Sequence, residues 1–186
     1  MECRLNAFET ERLIVRRLRW GDLDDFYRLC GDPDIMRYMG DGTPLTRQRT
    51  REWIDISLKN YELRGWGCFG VTDRSSDHLI GFAGYARPAD RPGVVEIIYA
   101  FLPEHWGKGY ATEVAGGLIT FGFGACGLNR IEATVNPENL VSRRVLEKIG
   151  MSYDGRRASS DGELVDYFSI EPVNESPQLR RAEAQR

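Results

Sequence analysis

The sequence predicts an α+β domain, a mixed sheet with flanking helices, on three observations. Three strand-like segments, CFGVTD, HLIGFAGYA and VVEIIYAFL, follow one another, joined only by the turn-forming links DRSSD and RPADRPG. Two helical patterns with no strand between them precede this meander. A helix, a strand, a second helix and two strands follow it. That order is not the regular strand–helix alternation of a doubly wound fold.

Taken in order, LIVRRLRW (Leu13–Trp20) is a short strand, and GDLDDFYRLC then starts a helix with Asp22 at its N-cap. Pro33 ends that helix. Pro33–Thr46 reads as a loop carrying Ile35, Met36, Tyr38 and Met39, more apolar surface than a solvated loop needs. The next helix spans Arg47–Leu63, where Trp53, Ile54 and Leu58 recur on one face and Gly65 and Gly67 bracket the end. Beyond the meander, Ala111, Val114, Ala115, Leu118 and Ile119 stand at i, i+3, i+4, i+7 and i+8, one buried helical stripe. Gly116 and Gly117 weaken that helix by about 1 kcal/mol each relative to alanine, so close packing against a sheet is expected to explain them. RIEATV is the next strand. In the helix Leu140–Ile149, Val141, Val145, Leu146 and Ile149 share a face, and Gly150 ends it. Strands around Met151–Arg157 and Val165–Ile170 close the domain. From Glu171 the chain turns polar and Pro-interrupted and reads as disordered, giving one domain over 8–171 and a tail over 172–186.

A chain of 186 residues buries a sizeable core without metal or disulfide staples. The net charge of −3 and the lack of a basic stripe interleaved with aromatics argue against nucleic-acid binding and suit a cationic substrate. Cys3, Cys30, Cys68 and Cys126 are scattered with no CxxC, as expected in a reducing cytoplasm. No stretch is long enough to span a bilayer, and MECRLNAFETERL lacks the apolar core of a signal peptide. A cytoplasmic protein without a membrane partner is the expectation.

One junction stands out. EHWGKGYATE (Glu104–Glu113) places two glycines and a lysine between a strand and a helix. The first N–H groups of a helix have no internal partner and carry the positive end of the helix dipole, so a glycine turn there forms an anion site. A Walker loop is missing, since no GxxxxGK[ST] occurs. A literal GxGxxG does occur at Gly122–Gly127 (GFGACG), but it follows a helix and precedes a strand, the reverse of a dinucleotide fingerprint. An ordinary glycine turn that binds nothing is the alternative for GKGYAT by itself.

Its neighbourhood decides between them. ETERLIVRRL, EIIYAFLPEHWGKGYATE and RIEATVNPENLVSRRVLEKIGM, in that order and spacing over residues 8–170, resemble the GNAT N-acetyltransferase superfamily. Within it, they resemble the ribosomal-protein N-terminal acetyltransferase branch. The family's pyrophosphate motif, Q/R-x-x-G-x-G/A, falls on Trp106-Gly107-Lys108-Gly109-Tyr110-Ala111, with Trp106 in place of the usual Gln or Arg, as in that branch.

The resemblance implies a twisted, mostly antiparallel sheet in which VVEIIYAFL splays from a parallel neighbour, RIEATV. It implies acetyl-coenzyme A as acetyl donor, no metal, and a primary amine as acceptor: a ribosomal or other protein N-terminus, or a small-molecule amine. It also implies a monomer or homodimer. The pantetheine arm would pair with the strand edge at Phe101 and Leu102. The pyrophosphate would rest on the amides of Gly107, Lys108, Gly109, Tyr110, Ala111 and Thr112, where Lys108 either adds charge or stays solvated. Glu96 resembles the family's base position, and a solvent-facing strand glutamate is the alternative. Relatives commonly carry an acidic tyrosine where this chain has Leu146; in the ribosomal-protein branch a serine earlier in the helix is the residue proposed for that role, and here that position is Ser142. Asn139 would hydrogen-bond coenzyme A, cap the helix, or both. The loop Pro33–Thr46 and the last hairpin, with Asp161, Glu163 and Asp166, would form the mouth; those carboxylates would hold a protonated amine, and plain surface solvation is the alternative.

Other classes fit worse. His78 and His105 are the only histidines and form no HExxH, and a serine hydrolase would need GxSxG. The rival is a GNAT-fold module that binds acetyl-coenzyme A as a sensor with little turnover.

Overall fold

A computed structural model describes residues 6–160 and 162–172. Cys3, Asp161 and the predicted tail beyond residue 172 lie outside the described residues. The strands are β1 (Asn6–Glu9), β2 (Leu13–Arg17), β3 (Cys68–Asp73), β4 (Gly81–Ala86), β5 (Glu96–Phe101), β6 (Ile131–Val135), β7 (Ser152–Ala158) and β8 (Leu164–Ile170). They form one sheet in the order β1-β2-β3-β4-β5-β6-β8-β7. Every neighbouring pair is antiparallel except β5 and β6. Their parallel relation follows from the helical crossover between them, α4 (Tyr110–Gly124). The mixed sheet and its single parallel pair are therefore as the sequence predicts.

Helices cover both faces of the sheet. α1 (Leu23–Cys30), α2 (Pro33–Met36) and α3 (Arg47–Arg64) pack Phe26, Leu29, Ile35 and Ile54 onto Leu18, Leu79 and Phe82. On the other face, α4 and α5 (Leu140–Lys148) pack Val114, Leu118 and Leu146 onto Ala83, Tyr85, Ile97 and Ile131. Strand alternation sorts the two sets: Phe82 faces α1 and α3, whereas Ala83 and Tyr85 face away from them. Because both faces are covered, β3 and β4 are buried almost end to end.

Local chemistry explains where elements depart from the sequence reading. β1 was not predicted; its Phe8 ring lies where a side chain on Gly117 would sit, 2.4 Å from an added Cβ. Gly117 is thus a packing glycine, while Gly116 faces open space and packing does not explain it. The strand predicted to Trp20 ends at Arg17, and a 3-10 turn (Trp20–Asp22) follows Leu18 and Arg19. Asp22 stands at the head of α1 but makes no cap bond. Its carboxylate instead accepts two hydrogen bonds from the buried Arg16, at 2.8 and 2.9 Å. The segment read as a loop opens with α2, whose N-cap Asp32 accepts from the N–H groups of Asp34 and Ile35. Val141, predicted on the buried face of α5, is 73% exposed, and Val145 and Leu146, with Ile149 at the C-cap, hold that face down. The GxGxxG string is a helix end: an added Cβ on Gly122 would lie 2.7 Å from Ile131 Cδ1.

Candidate active site

β5 and β6 share a single bridge, Glu96 to Glu132, with the Glu132 N–H donating to the Val95 carbonyl at 2.9 Å. Beyond it β5 runs on to Phe101 and β6 to Val135 without pairing. The two strands are parallel, so the helices that follow them, α4 and α5, begin at the same end of the sheet. Two helix N-termini thus flank the open end of the splay, each with unpaired amides and a positive dipole end.

The α4 end is shaped by the glycine turn. Gly107 and Gly109 both take left-handed backbone angles, φ of 72° and 81°, which residues with a Cβ rarely adopt. The Glu113 N–H closes the first helical bond, to the Gly109 carbonyl at 3.1 Å. The amides of Tyr110, Ala111 and Thr112, which precede it, have no helical acceptor. Lys108 is exposed at the tip of the turn. Trp106 is half exposed, and its indole N–H donates to the Phe101 carbonyl at 2.7 Å. That bond ties the turn to the end of β5. Leu102 donates its N–H to Ile80, away from the splay. Its side chain and that of Phe101 are buried in opposite core layers.

At the α5 end, Asn139 caps the helix by accepting from the Ser142 N–H at 3.0 Å. Ser142 Oγ lies 2.9 Å from the phenol of Tyr99, which reaches it from β5. This Tyr99–Ser142 pair bridges the splay. Burial pushes the Tyr99 pKa up to about 12, against the bond from Ser142, which lowers it; the phenol is therefore protonated throughout the neutral range. Sequence reading passed over Tyr99, although strand alternation from the core residue Ile97 places it on the α5 face. Leu146, where relatives carry tyrosine, is a buried core residue.

Glu96 stands on the opposite face of the sheet. Alternation along β5 puts it with Ile98 and Ala100, which pack toward α1 and α3. It is neither a free nor a surface carboxylate. Arg91, in the β4–β5 link, forms an ion pair with it and bonds Glu132 at 3.0 Å. Thr134 adds a bond at 3.4 Å. Burial raises the Glu96 pKa above the ordinary carboxylate value, opposed by Arg91 and Thr134 and assisted by Glu132. Arg91 also lies over the Tyr167 ring, 5.1 Å from its centroid.

The last hairpin corrects one expectation. Asp166 does not face the mouth. It is fully buried, bonded by Arg156 at 2.7 and 3.1 Å, by Arg143 at 3.4 Å and by the Tyr153 phenol at 3.2 Å. The Arg156 bond leads in holding its pKa low. Asp166→Asn is accordingly expected to reduce stability by about 1.5–3 kcal/mol, the range for hydrogen bonds to charged groups, while the Michaelis constant for amine stays unchanged. Because the folded-state pKa is depressed, this contribution is present above the unfolded pKa of about 3.9 and is lost as pH falls below it. Melting temperatures of wild type and mutant at neutral and acid pH check both statements. Glu163 lies exposed on the same hairpin. The segment after α2 does reach the splay, since Arg37 lies 3.9 Å from Glu138 in the β6–α5 link.

Residues 12–152 match the family model described as Acetyltransferase (GNAT) domain. The chain belongs to the GNAT acetyltransferase family and is an N-acetyltransferase that uses acetyl-coenzyme A. It is 34% identical over 172 residues to "Uncharacterized N-acetyltransferase p20" of Bacillus licheniformis, covering 88% of this chain and 94% of that one. A crystal structure of a GNAT-family acetyltransferase from Bacillus anthracis superposes with a TM-score of 0.72 at 30% identity, over 88% and 96% of the two chains. RimL, a ribosomal L7/L12 alpha-N-protein acetyltransferase solved with coenzyme A, shares the fold with a TM-score of 0.75 at 12% identity, over 89% and 97%. Among the described residues no helix is long and apolar enough to cross a membrane, and no group of side chains is placed to hold a metal ion.

Proposed function

We propose that the protein transfers an acetyl group from acetyl-coenzyme A directly to a primary amine, with both bound at the β5–β6 splay. The observation that carries this is the division of labour across the sheet: Glu96 on one face, the Tyr99–Ser142 pair on the other. An amine approaching from the α1–α3 face meets a carboxylate that takes its proton. The thiolate departs toward α5, where the helix N-terminus and the Ser142 hydroxyl stabilise it.

The donor's pyrophosphate lies on the amides from Gly107 to Thr112, with Lys108 beside it, and its pantetheine arm enters along the β5 edge left unpaired by β6, near Phe101. Asn139 orients the first turn of α5. Breakdown of the tetrahedral intermediate returns one proton to sulfur, so the amine's proton and the thiol's proton balance over the cycle. Raised pKa values and buried or remote positions keep Cys30, Cys68 and Cys126 out of this chemistry. Cys126 follows the far end of α4, a helix of 15 residues and hence about 22 Å long. The three free thiols among the described residues also suit a reducing cytoplasm.

The acceptor is a primary amine, either the N-terminus of a ribosomal or other protein or a small molecule. The loop after α2 and the β7–β8 hairpin border its approach. Thiol release from acetyl-coenzyme A, followed across N-terminal peptides, polyamines, amino acids and amine antibiotics, tests this reading. Amine-dependent release is the expected result, and binding without release from any amine would favour a sensor. Ser142→Ala is expected to slow single-turnover transfer about tenfold, below the ~10²–10⁴-fold usual for a general acid, because the α5 terminus still stabilises the thiolate. Tyr99→Phe, which keeps the ring and removes the phenol, should slow it in the same direction. A silent Ser142→Ala beside a damaged Leu146→Ala would show that the leaving thiolate needs no side-chain acid.

A further inference from the structure

The ETERL segment at the start of the domain lies far from the splay in sequence, yet the fold brings it onto the glycine turn. Arg12 Nη1 donates to the Lys108 carbonyl at 2.9 Å, inside the turn itself. Its Nε bonds the Glu113 carboxylate at 2.7 Å and its Nη2 lies 2.6 Å from the same group. The Arg12 backbone N–H and the Thr10 hydroxyl donate to the other Glu113 oxygen, at 2.9 and 2.5 Å. The guanidinium also covers the Tyr110 ring, 4.6 Å from its centroid. Arg12 therefore touches the turn at residues 108, 110 and 113.

The brace is itself anchored. Arg74 donates to the carbonyls of Thr10 and Glu11, at 2.8 and 3.1 Å, and forms an ion pair with Glu9. The Thr10 N–H and Leu13 carbonyl close a tight turn at 2.9 Å. A group held on such a support transmits position rather than following its partner.

Electrostatics gives the arrangement a second consequence. Glu113 lies in the first turn of α4, where a carboxylate favours the helix dipole but repels any other anion at the same end. Burial alone would raise its pKa, and the bonds from Thr10 and Arg12 outweigh burial and keep it ionised. Its charge is thus a standing obstacle to a diphosphate unless a cation neutralises it.

We infer that Arg12 is a positioning residue for the donor: it fixes the left-handed turn through Lys108 and neutralises Glu113, so that the α4 terminus accepts a pyrophosphate. This rests on the reading of the glycine turn as the pyrophosphate cradle. Among the described residues its polar contacts are to the turn and the helix, so it acts through them.

Calorimetry with coenzyme A and with pantetheine, which lacks the pyrophosphate, tests the inference on the full chain. Arg12→Ala should weaken coenzyme A binding about tenfold, as expected for losing a charge-assisted bond near a helix terminus. Pantetheine binding should not change, and kcat at saturating acetyl-coenzyme A should stay near wild type. Arg12→Lys, a point charge without the fork that spans Lys108 and Glu113, should recover only part of the affinity. Adding Glu113→Gln to Arg12→Ala should also recover part, because the repulsive charge is gone. Unchanged coenzyme A affinity in a folded Arg12→Ala protein overturns the inference, as does equal weakening of both ligands. If wild type binds the two ligands equally well, the pyrophosphate reading itself fails, whatever Arg12 does.

Discussion

Gly109→Val is expected to abolish coenzyme A binding while leaving the sheet folded. Space is not the obstacle: a Cβ at Gly109 would have only Arg12 Nη2 for a neighbour, at 3.5 Å. The obstacle is the backbone. At φ of +81°, a β-branched residue clashes with its own carbonyl neighbours, and even an ordinary L residue costs roughly 1–2 kcal/mol in that region. The turn would relieve this strain by rebuilding, which carries the amides of Tyr110, Ala111 and Thr112 away from a shared target. The isopropyl group beside those amides would also keep a phosphate off them. Affinity should fall by ~10²-fold or more, the equivalent of about 2.7 kcal/mol. Far-ultraviolet circular dichroism should be unchanged because the turn is exposed and outside both core layers. Near-native affinity in the folded mutant, read by calorimetry, would remove the glycine turn from the donor site.

Glu96→Gln should cost the most in turnover. The substitution keeps the shape and removes the proton acceptor, and general-base catalysis is typically worth ~10²–10⁴-fold. Coenzyme A affinity should change little, because Glu96 stands at the closed end of the splay and on the face opposite α4. The pH profile separates the proposed role from a structural one. Burial holds the Glu96 pKa above the ordinary carboxylate value, so the acidic limb of kcat/KM should lie above the ordinary carboxylate range and vanish in the mutant. Arg91 supplies the test of sign. Removing its charge by Arg91→Met favours the neutral carboxyl, raises the pKa further and moves the acidic limb to higher pH. A Glu96→Gln enzyme within about threefold of wild type would assign the proton to water or another group, since that lies far below the usual general-base effect.

Much of this was legible in the sequence because it depends on local rules. The three-strand meander, the crossover helix and the closing hairpin follow from turn formers and periodicity, and Gly107 and Gly109 announce left-handed backbone. Asn139 as a cap is a property of the four consecutive residues from Asn139 to Ser142. What was not legible depends on pairing at a distance. β1 carries too few residues to show a pattern, and it is defined by β2 and by the glycine of α4 that admits Phe8. Asp166 looks like any hairpin carboxylate until register places it on the α5 face among Arg143, Arg156 and Tyr153. Arg91, five residues before Glu96, reads as a loop cation until the β4–β5 link folds it back onto both carboxylates. Tyr99 lies within a segment that reads only as a strand, and only the placement of α5 gives its hydroxyl a partner.

Direct transfer within a ternary complex is tested most plainly by the mass of the protein itself. Wild type is mixed with acetyl-coenzyme A in a single turnover, without an amine and then with the best acceptor of the panel, and protein and small molecules are weighed at each time. The expected result is an unmodified protein at every time point, with acetylated amine and free thiol appearing together and only when amine is present. A protein that gains one acetyl group in the absence of amine, and loses it when amine is added, would contradict direct attack and place a covalent intermediate on a side chain of this chain.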